Sequence, residues 1–169
     1  MSSKIEIISG RALQTINKLQ SVKFEINNHL LDFIEYNLND IKKSIFGDTD
    51  NTKHEALINE LTGKISKLYH KLNSERVDLT AQTKEAMQRT LLFLENKKNK
   101  AIEKQNQLKT FEMTLKVARD LANYESFYYM VQVDFRGRIY LVSDYLNYQG
   151  SNLAKALILL KKESKINMY

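Results

Sequence analysis

Cysteine, proline and tryptophan are absent from this 169-residue chain, and glycine occurs only five times. Without cysteine there is no disulfide framework and no zinc–thiolate site. Without proline, the strongest breaker of a helix interior is missing. No apolar run is long enough to span a bilayer as a helix, which leaves no candidate membrane span. The start of the chain, Met1-Ser2-Ser3-Lys4-Ile5-Glu6, has neither the charged-then-apolar layout of a signal peptide nor the Arg-rich, acid-poor helix of an imported mitochondrial protein. His29, His54 and His70 are far apart, with no two at metal-ligand spacing. A glycine-rich phosphate loop and a Ser-His-Asp arrangement are also missing.

What is present is a composition ordinary for a folded chain, 43% hydrophobic and 27% charged, and a length that suits one domain or one piece of a larger protein. Lysine greatly outnumbers arginine, and asparagine and isoleucine are abundant; an AT-rich organellar or plasmid genome gives this bias. The net charge of +6 is unevenly spread: residues 1–52 carry −1, residues 53–119 carry +6 and residues 120–169 carry +1. A basic middle third favours a polyanion partner; a solvated lysine-rich helix face is the plainer alternative.

Apolar spacing predicts a mainly α chain. Leu13, Ile16 and Leu19 mark a first helix, and Ser21 is a candidate cap for a second that runs from Phe24 and Ile26 through Leu30, Leu31, Ile34 and Leu38 to Ile45. Gly47-Asp48-Thr49-Asp50-Asn51 breaks the pattern. A helix over 53–73 follows, with Leu57, Leu61, Ile65, Leu68 and Leu72 on one face. Asp78-Leu79-Thr80 can start the next, which reads as one long helix or two stacked ones to Tyr124. Within it Glu95-Asn96-Lys97-Lys98-Asn99-Lys100 is polar all round, so that stretch projects into solvent or meets something charged. From Tyr128 to Phe135 the run is aromatic and β-branched, and Arg138-Ile139-Tyr140-Leu141-Val142 is a second strand candidate, with Gly137 suited to the turn of a small hairpin. A last helix is expected from Ser151 through Leu160.

The densest chemistry lies in Asp134-Phe135-Arg136-Gly137-Arg138-Ile139-Tyr140. Arginine's planar fork matches phosphate geometry. Glycine between two arginines lets backbone approach a ligand, and Asp134 is placed to steer either guanidinium.

Asp134-x-x-Gly137-Arg138, followed by Ile139-Tyr140, Val142-Ser143, Asn147-Tyr148-Gln149-Gly150 and Lys155, resembles a motif series of the single-subunit DNA-directed RNA polymerases of bacteriophages, mitochondria and mitochondrial plasmids. The spacing from Ser143 to Asn147 is one residue longer than in the phage enzymes. Upstream, Gln20-Ser21-Val22-Lys23-Phe24-Glu25-Ile26-Asn27 through Leu31 resembles the segment that closes the N-terminal region of those enzymes.

The resemblance implies an antiparallel helical array with a long thumb-like protrusion and one short β-hairpin belonging to an incomplete palm. Residues 1–50 would then end the N-terminal domain, 51–120 form the thumb, and 121–169 begin the palm. It implies nucleic-acid-binding roles for Arg136, Arg138, Tyr140, Ser143, Gln149 and Lys155, with Asp134 and Gly137 supporting the motif. Template DNA and an RNA–DNA hybrid are the implied partners, and a second chain supplying the rest of the polymerase is left open. The family's metal-binding palm aspartates lie beyond the residues that correspond to this chain. No catalytic residue, bound cofactor or metal is therefore expected here; Asp134 and Asp144 are not metal ligands, and Mg²⁺ belongs to the complete enzyme. The expected product is a catalytically incomplete piece, encoded and located in the mitochondrion. Its hydrophobic residues Phe127, Tyr128, Tyr129, Leu157 and Leu160 are expected to be partly exposed for want of covering elements. Two other readings stay open: a stand-alone basic helical nucleic-acid binder, and a helical protein-interaction module.

Overall fold

The computed structural model describes residues 10–47, 49–74 and 79–161, with the side chains of residues 11 and 12 excepted. The chain is mainly α, as its periodicity predicts. In order come α1 (Gly10–Gln20), β1 (Phe24–Ile26), α2 (Asn28–Tyr36), α3 (Leu38–Phe46), α4 (Asn51–Leu72), α5 (Ala81–Ala122), β2 (Val131–Val133), β3 (Ile139–Leu141), α6 (Asn152–Leu157) and β4 (Ile158–Leu160). No helix among the described residues is long and apolar enough to cross a membrane.

Two compact units divide these elements. One holds residues 38–110; the other joins residues 1–37 to residues 111–169. Segments from both ends of the chain thus share one unit.

In the first unit the helix boundaries follow local chemistry. The Asp50 carboxylate caps α4, accepting bonds from the Thr52 backbone N–H (3.0 Å) and hydroxyl (2.6 Å), and so satisfies donors the first turn leaves open. Gly47, at φ +69°, takes up the left-handed conformation after α3 that costs glycine least. Asp78, a candidate helix start, lies outside the described residues; Thr80 fills that role, its hydroxyl accepting the Thr83 N–H at 3.3 Å. Leu61 and Ile65 of α4 and Leu91 and Leu108 of α5 are buried. The half-buried His54, Ile58, Leu68 and Leu72 extend the α4 stripe at alternating three- and four-residue steps, the spacing that keeps one helix face inward. The Tyr69 hydroxyl donates to Glu95 Oε1 at 2.9 Å, joining α4 to α5. In the polar stretch of α5, Asn96, Lys97, Asn99 and Lys100 are exposed.

The second unit holds both sheets. β2 and β3 pair antiparallel, Val131 opposite Leu141 and Val133 opposite Ile139, which is the hairpin expected from the sequence. A second antiparallel pair was not expected: β1 joins β4, with Phe24 opposite Leu160 and Ile26 opposite Ile158. Phe24 and Ile26 therefore belong to a strand, not to a helix, and Ile158–Leu160 leaves the last helix early. Ser21 closes α1, its hydroxyl donating to the Lys18 carbonyl at 2.8 Å, and does not cap α2. Asn27 is the cap, accepting the Leu30 N–H at 3.2 Å. It also anchors the two ends of the unit, its backbone N–H bonding the Leu157 carbonyl at 2.9 Å and its side-chain amide donating to the Ala156 carbonyl at 3.3 Å.

Around β1 lies an aromatic cluster. Phe24 stands 5.0 Å from Tyr129, 5.6 Å from Tyr148 and 6.1 Å from Phe127 between ring centroids, and Phe127 meets Tyr129 edge-on at 5.4 Å. Such pairs add about 0.5–1.5 kcal/mol each beyond the area they bury. The expected exposure of five hydrophobic residues is thereby corrected for three. Phe127 and Tyr129 are buried against Phe24 of β1 and Leu157 lies on the buried side of α6, whereas Tyr128 and Leu160 are 52% and 63% exposed. Leu146, Ala154, Ala118 and Leu157 have no exposed surface.

Candidate nucleic-acid interface

The five-residue connection from β2 to β3 is built around one carboxylate. The Asp134 backbone N–H bonds the Arg138 carbonyl at 3.0 Å, and the Gly137 N–H bonds the Asp134 carbonyl at 2.9 Å. This makes a turn closed by a residue with positive φ, and Gly137 supplies it at φ +77°, a hairpin geometry that favours glycine at that position. Asp134 Oδ1 accepts the backbone N–H groups of Arg136 and Arg138, both at 2.9 Å. Its Oδ2 accepts Arg138 Nε at 2.8 Å and the Tyr140 hydroxyl at 3.3 Å. Four donors thus converge on one side chain.

These contacts set the charge state of the tip. The Arg138 backbone N–H above all, then its guanidinium, the Arg136 N–H and the Tyr140 hydroxyl, hold the Asp134 carboxyl below the usual carboxylate range against the opposing effect of partial burial. Partial burial, then the Asp134 charge, raises the Tyr140 phenol, so near neutral pH it is an O–H donor.

Asp134 grips Arg138 by Nε alone. The two terminal nitrogens of Arg138 donate to no described residue, and its side chain is 59% exposed. A guanidinium held at Nε keeps its outer edge for an external anion. The Arg138 guanidinium carbon lies 5.7 Å from the Tyr140 ring centre, and that of Arg136 lies 5.1 Å from the ring of Phe135. Two cation–aromatic pairs therefore stand at one hairpin tip. Phe135, read in the sequence as the end of a strand and not as a site residue, stands 84% exposed at the tip.

The hairpin gathers Asp134, Arg136, Gly137, Arg138 and Tyr140. Other candidates are placed differently. Ser143 is half-buried, its hydroxyl donating to the Leu146 carbonyl at 2.8 Å. Gln149 lays its amide along β3, accepting the Leu141 N–H and donating to the Ile139 carbonyl, each at 3.4 Å. Lys155 is exposed on α6, with no ion pair to the hairpin among the described residues. Asp144 is exposed, and no group of three histidine, aspartate or glutamate side chains suited to a metal occurs among the described residues.

No family model matches the chain. Among curated proteins it is 28% identical over 151 residues to a probable DNA-directed RNA polymerase of Podospora anserina, covering 89% of this chain and 13% of that protein. It is 30% identical over 145 residues to a probable DNA-directed RNA polymerase of Agaricus bitorquis, covering 86% of this chain and 10% of that protein. Over 56 residues it is 43% identical to the mitochondrial DNA-directed RNA polymerase 1 of Arabidopsis thaliana, covering 33% of this chain and 6% of that protein. The chain thus spans about a tenth of the length of the two fungal relatives it matches over most of its own length.

Proposed function

We propose that this chain, related over most of its length to a stretch of the DNA-directed RNA polymerases, is the nucleic-acid-gripping part of such an enzyme and has no nucleotidyl-transfer activity alone. The observation that carries the reading is the hairpin tip, where Arg138 is oriented by Asp134 yet keeps its terminal nitrogens for a ligand. Arg138 grips the backbone phosphate of template or hybrid. Arg136 adds a second cation, and Tyr140 donates to, or stacks on, a template nucleotide. Residues 51–120, with 14 basic and 9 acidic side chains, act as a thumb whose charge lies along the strand it wraps.

Template-directed synthesis of RNA from ribonucleoside triphosphates needs metal-held carboxylates. Among the described residues no group of three histidine, aspartate or glutamate side chains suited to a metal occurs, and under this reading no chemical step is assigned to this chain. Remaining palm and fingers segments, downstream or on a second chain, supply catalysis with Mg²⁺. The short share of each relative covered supports this. So do the outward-facing Tyr128, Met130 and Val142, all more than half exposed, and an open apolar groove of about 440 Å³ lined by Leu19, Val22, Phe24, Tyr148, Ile158 and Leu160, surfaces that further polypeptide would cover. The mitochondrial relatives support a mitochondrial location.

The test is binding of the purified chain to a short RNA–DNA hybrid across a salt series, beside Arg136→Ala/Arg138→Ala. The double variant is expected to lose most affinity and to lower the salt slope by about one to two units. Equal binding by both proteins would leave a lysine-rich helical binder, and no binding by either would leave a protein-interaction module.

A further inference from the structure

We infer that Gln149 is a positioning residue for Tyr140 and Arg138, acting as a one-residue substitute for a third strand; the inference rests on the reading that the hairpin grips nucleic acid. The ladder between β2 and β3 fixes which backbone groups face outward. The Val142 N–H bonds the Met130 carbonyl at 2.9 Å and the Asp134 N–H bonds the Arg138 carbonyl at 3.0 Å. In an antiparallel pair bonded positions alternate, so Gln132 and Tyr140 form the bonded pair between them. The Leu141 N–H and the Ile139 carbonyl, one on each side of Tyr140, then point away from β2 toward an edge that carries no strand. The Gln149 amide meets both, Oε1 taking the Leu141 N–H and Nε2 donating to the Ile139 carbonyl. A primary amide has the donor and acceptor of a peptide group, which is what an edge of alternating donors and acceptors requires.

The amide can do this because its own loop is held firmly. Asn147 Oδ1 accepts the Gln149 N–H at 2.9 Å, and Asn147 Nδ2 donates to the Ser143 carbonyl at 2.8 Å. Gly150 closes the turn onto the Asn147 carbonyl at 3.1 Å; a methyl group there would stand 3.1 Å from Asn147 Oδ1 and 3.2 Å from the carbonyl, close enough that Asn147 would have to shift by a few tenths of an ångström. Leu146 plugs the core, its carbonyl taking the Tyr129 hydroxyl at 2.9 Å. The Thr114 hydroxyl of α5 donates to the Tyr145 carbonyl at 3.2 Å. A continuous path of bonds and packing thus runs from α5 through the 143–150 loop to the edge of β3. Gln149 sits at its end, turned toward protein backbone rather than toward a ligand.

Two readouts on the full chain separate this role from direct contact: per-residue amide exchange, and affinity for a short RNA–DNA hybrid. Gln149→Ala is expected to speed exchange of the Leu141 amide at least tenfold while the Val142 amide, held by Met130, is unchanged. It is also expected to weaken hybrid binding several-fold, and to cost clearly less in an Arg138→Ala background, where only the part of its effect that passes through Tyr140 remains. Gln149→Glu keeps the acceptor for Leu141, so it is expected to fold, retain that protection and restore part of the affinity. Unchanged Leu141 exchange in Gln149→Ala, or losses that multiply in the double variant as for two independent contacts, would overturn the assignment. If Arg138→Ala alone left affinity intact, the nucleic-acid reading would fail, while the exchange result would still judge the brace.

Discussion

The carbonyl of Leu146 offers a sharp test of how the loop behind the hairpin is held. Leu146 has no exposed surface, and its carbonyl accepts two hydroxyls, Tyr129 at 2.9 Å and Ser143 at 2.8 Å. Removing one leaves the carbonyl satisfied by the other, so Tyr129→Phe or Ser143→Ala alone is expected to cost about 1 kcal/mol, the net worth of an ordinary hydrogen bond. Removing both strands a buried acceptor, and its desolvation adds about 1–3 kcal/mol. The double variant should therefore lose about 3–5 kcal/mol, more than the two single losses together. Urea unfolding at pH 7 of the four proteins measures the cycle. Strict additivity, or a Tyr129→Phe variant as stable as the parent, would refute the shared-acceptor account. The same tyrosine sets an alkaline limit. Burial, then Tyr148, raises the Tyr129 phenol well above its ordinary 10.0. A group whose folded pKa is raised stabilises fully below its unfolded value and loses that contribution as pH rises through the folded one. Stability should therefore fall above about pH 10 in the parent, and less steeply in Tyr129→Phe.

Leu157→Ala, at a position with no exposed surface, is expected to cost about 2–5 kcal/mol by urea unfolding, since Asn27 and β4 tether the C-terminal end of α6 and keep it from closing over the cavity. Gly137→Ala meets no atom within 4 Å but must hold φ +77°, so it should destabilise by about 1–2 kcal/mol through backbone strain alone and loosen the Arg138 geometry seen by side-chain NMR. The lowered Asp134 carboxyl stabilises the tip above its unfolded pKa, and that contribution disappears as pH falls through the lower folded value. The Arg138 Nε resonance should accordingly stay unchanged from neutral pH down to the ordinary carboxylate range and shift only below it, and Asp134→Asn should abolish the transition.

What could be read from the chain was what neighbours in sequence decide. α4 and α5 follow from three- and four-residue apolar spacing, and the absence of proline lets α5 run unbroken from Ala81 to Ala122. The hairpin tip is equally local: Asp134, Gly137, Arg138 and Tyr140 lie within seven residues, so their turn and carboxylate hub follow from side-chain reach. β1 was hidden because three residues are too few to show a period, and its partner β4 lies more than a hundred residues away. Ser143 and Gln149 look like ligand-facing residues in the sequence, yet both bond backbone, a choice made only when Leu146 enters the core and carries the loop with it.

By itself, then, the sequence determined the helical class, the β2–β3 hairpin and the basic middle, because each depends on spacing or charge over a few turns. Only the tertiary structure decided that Phe24 belongs to a strand, that Phe127 and Tyr129 are core, and that Gln149 braces β3. Those outcomes depend on which distant segments pack together, and backbone groups at a sheet edge and rings in a cluster acquire partners only once the two ends of the chain have met.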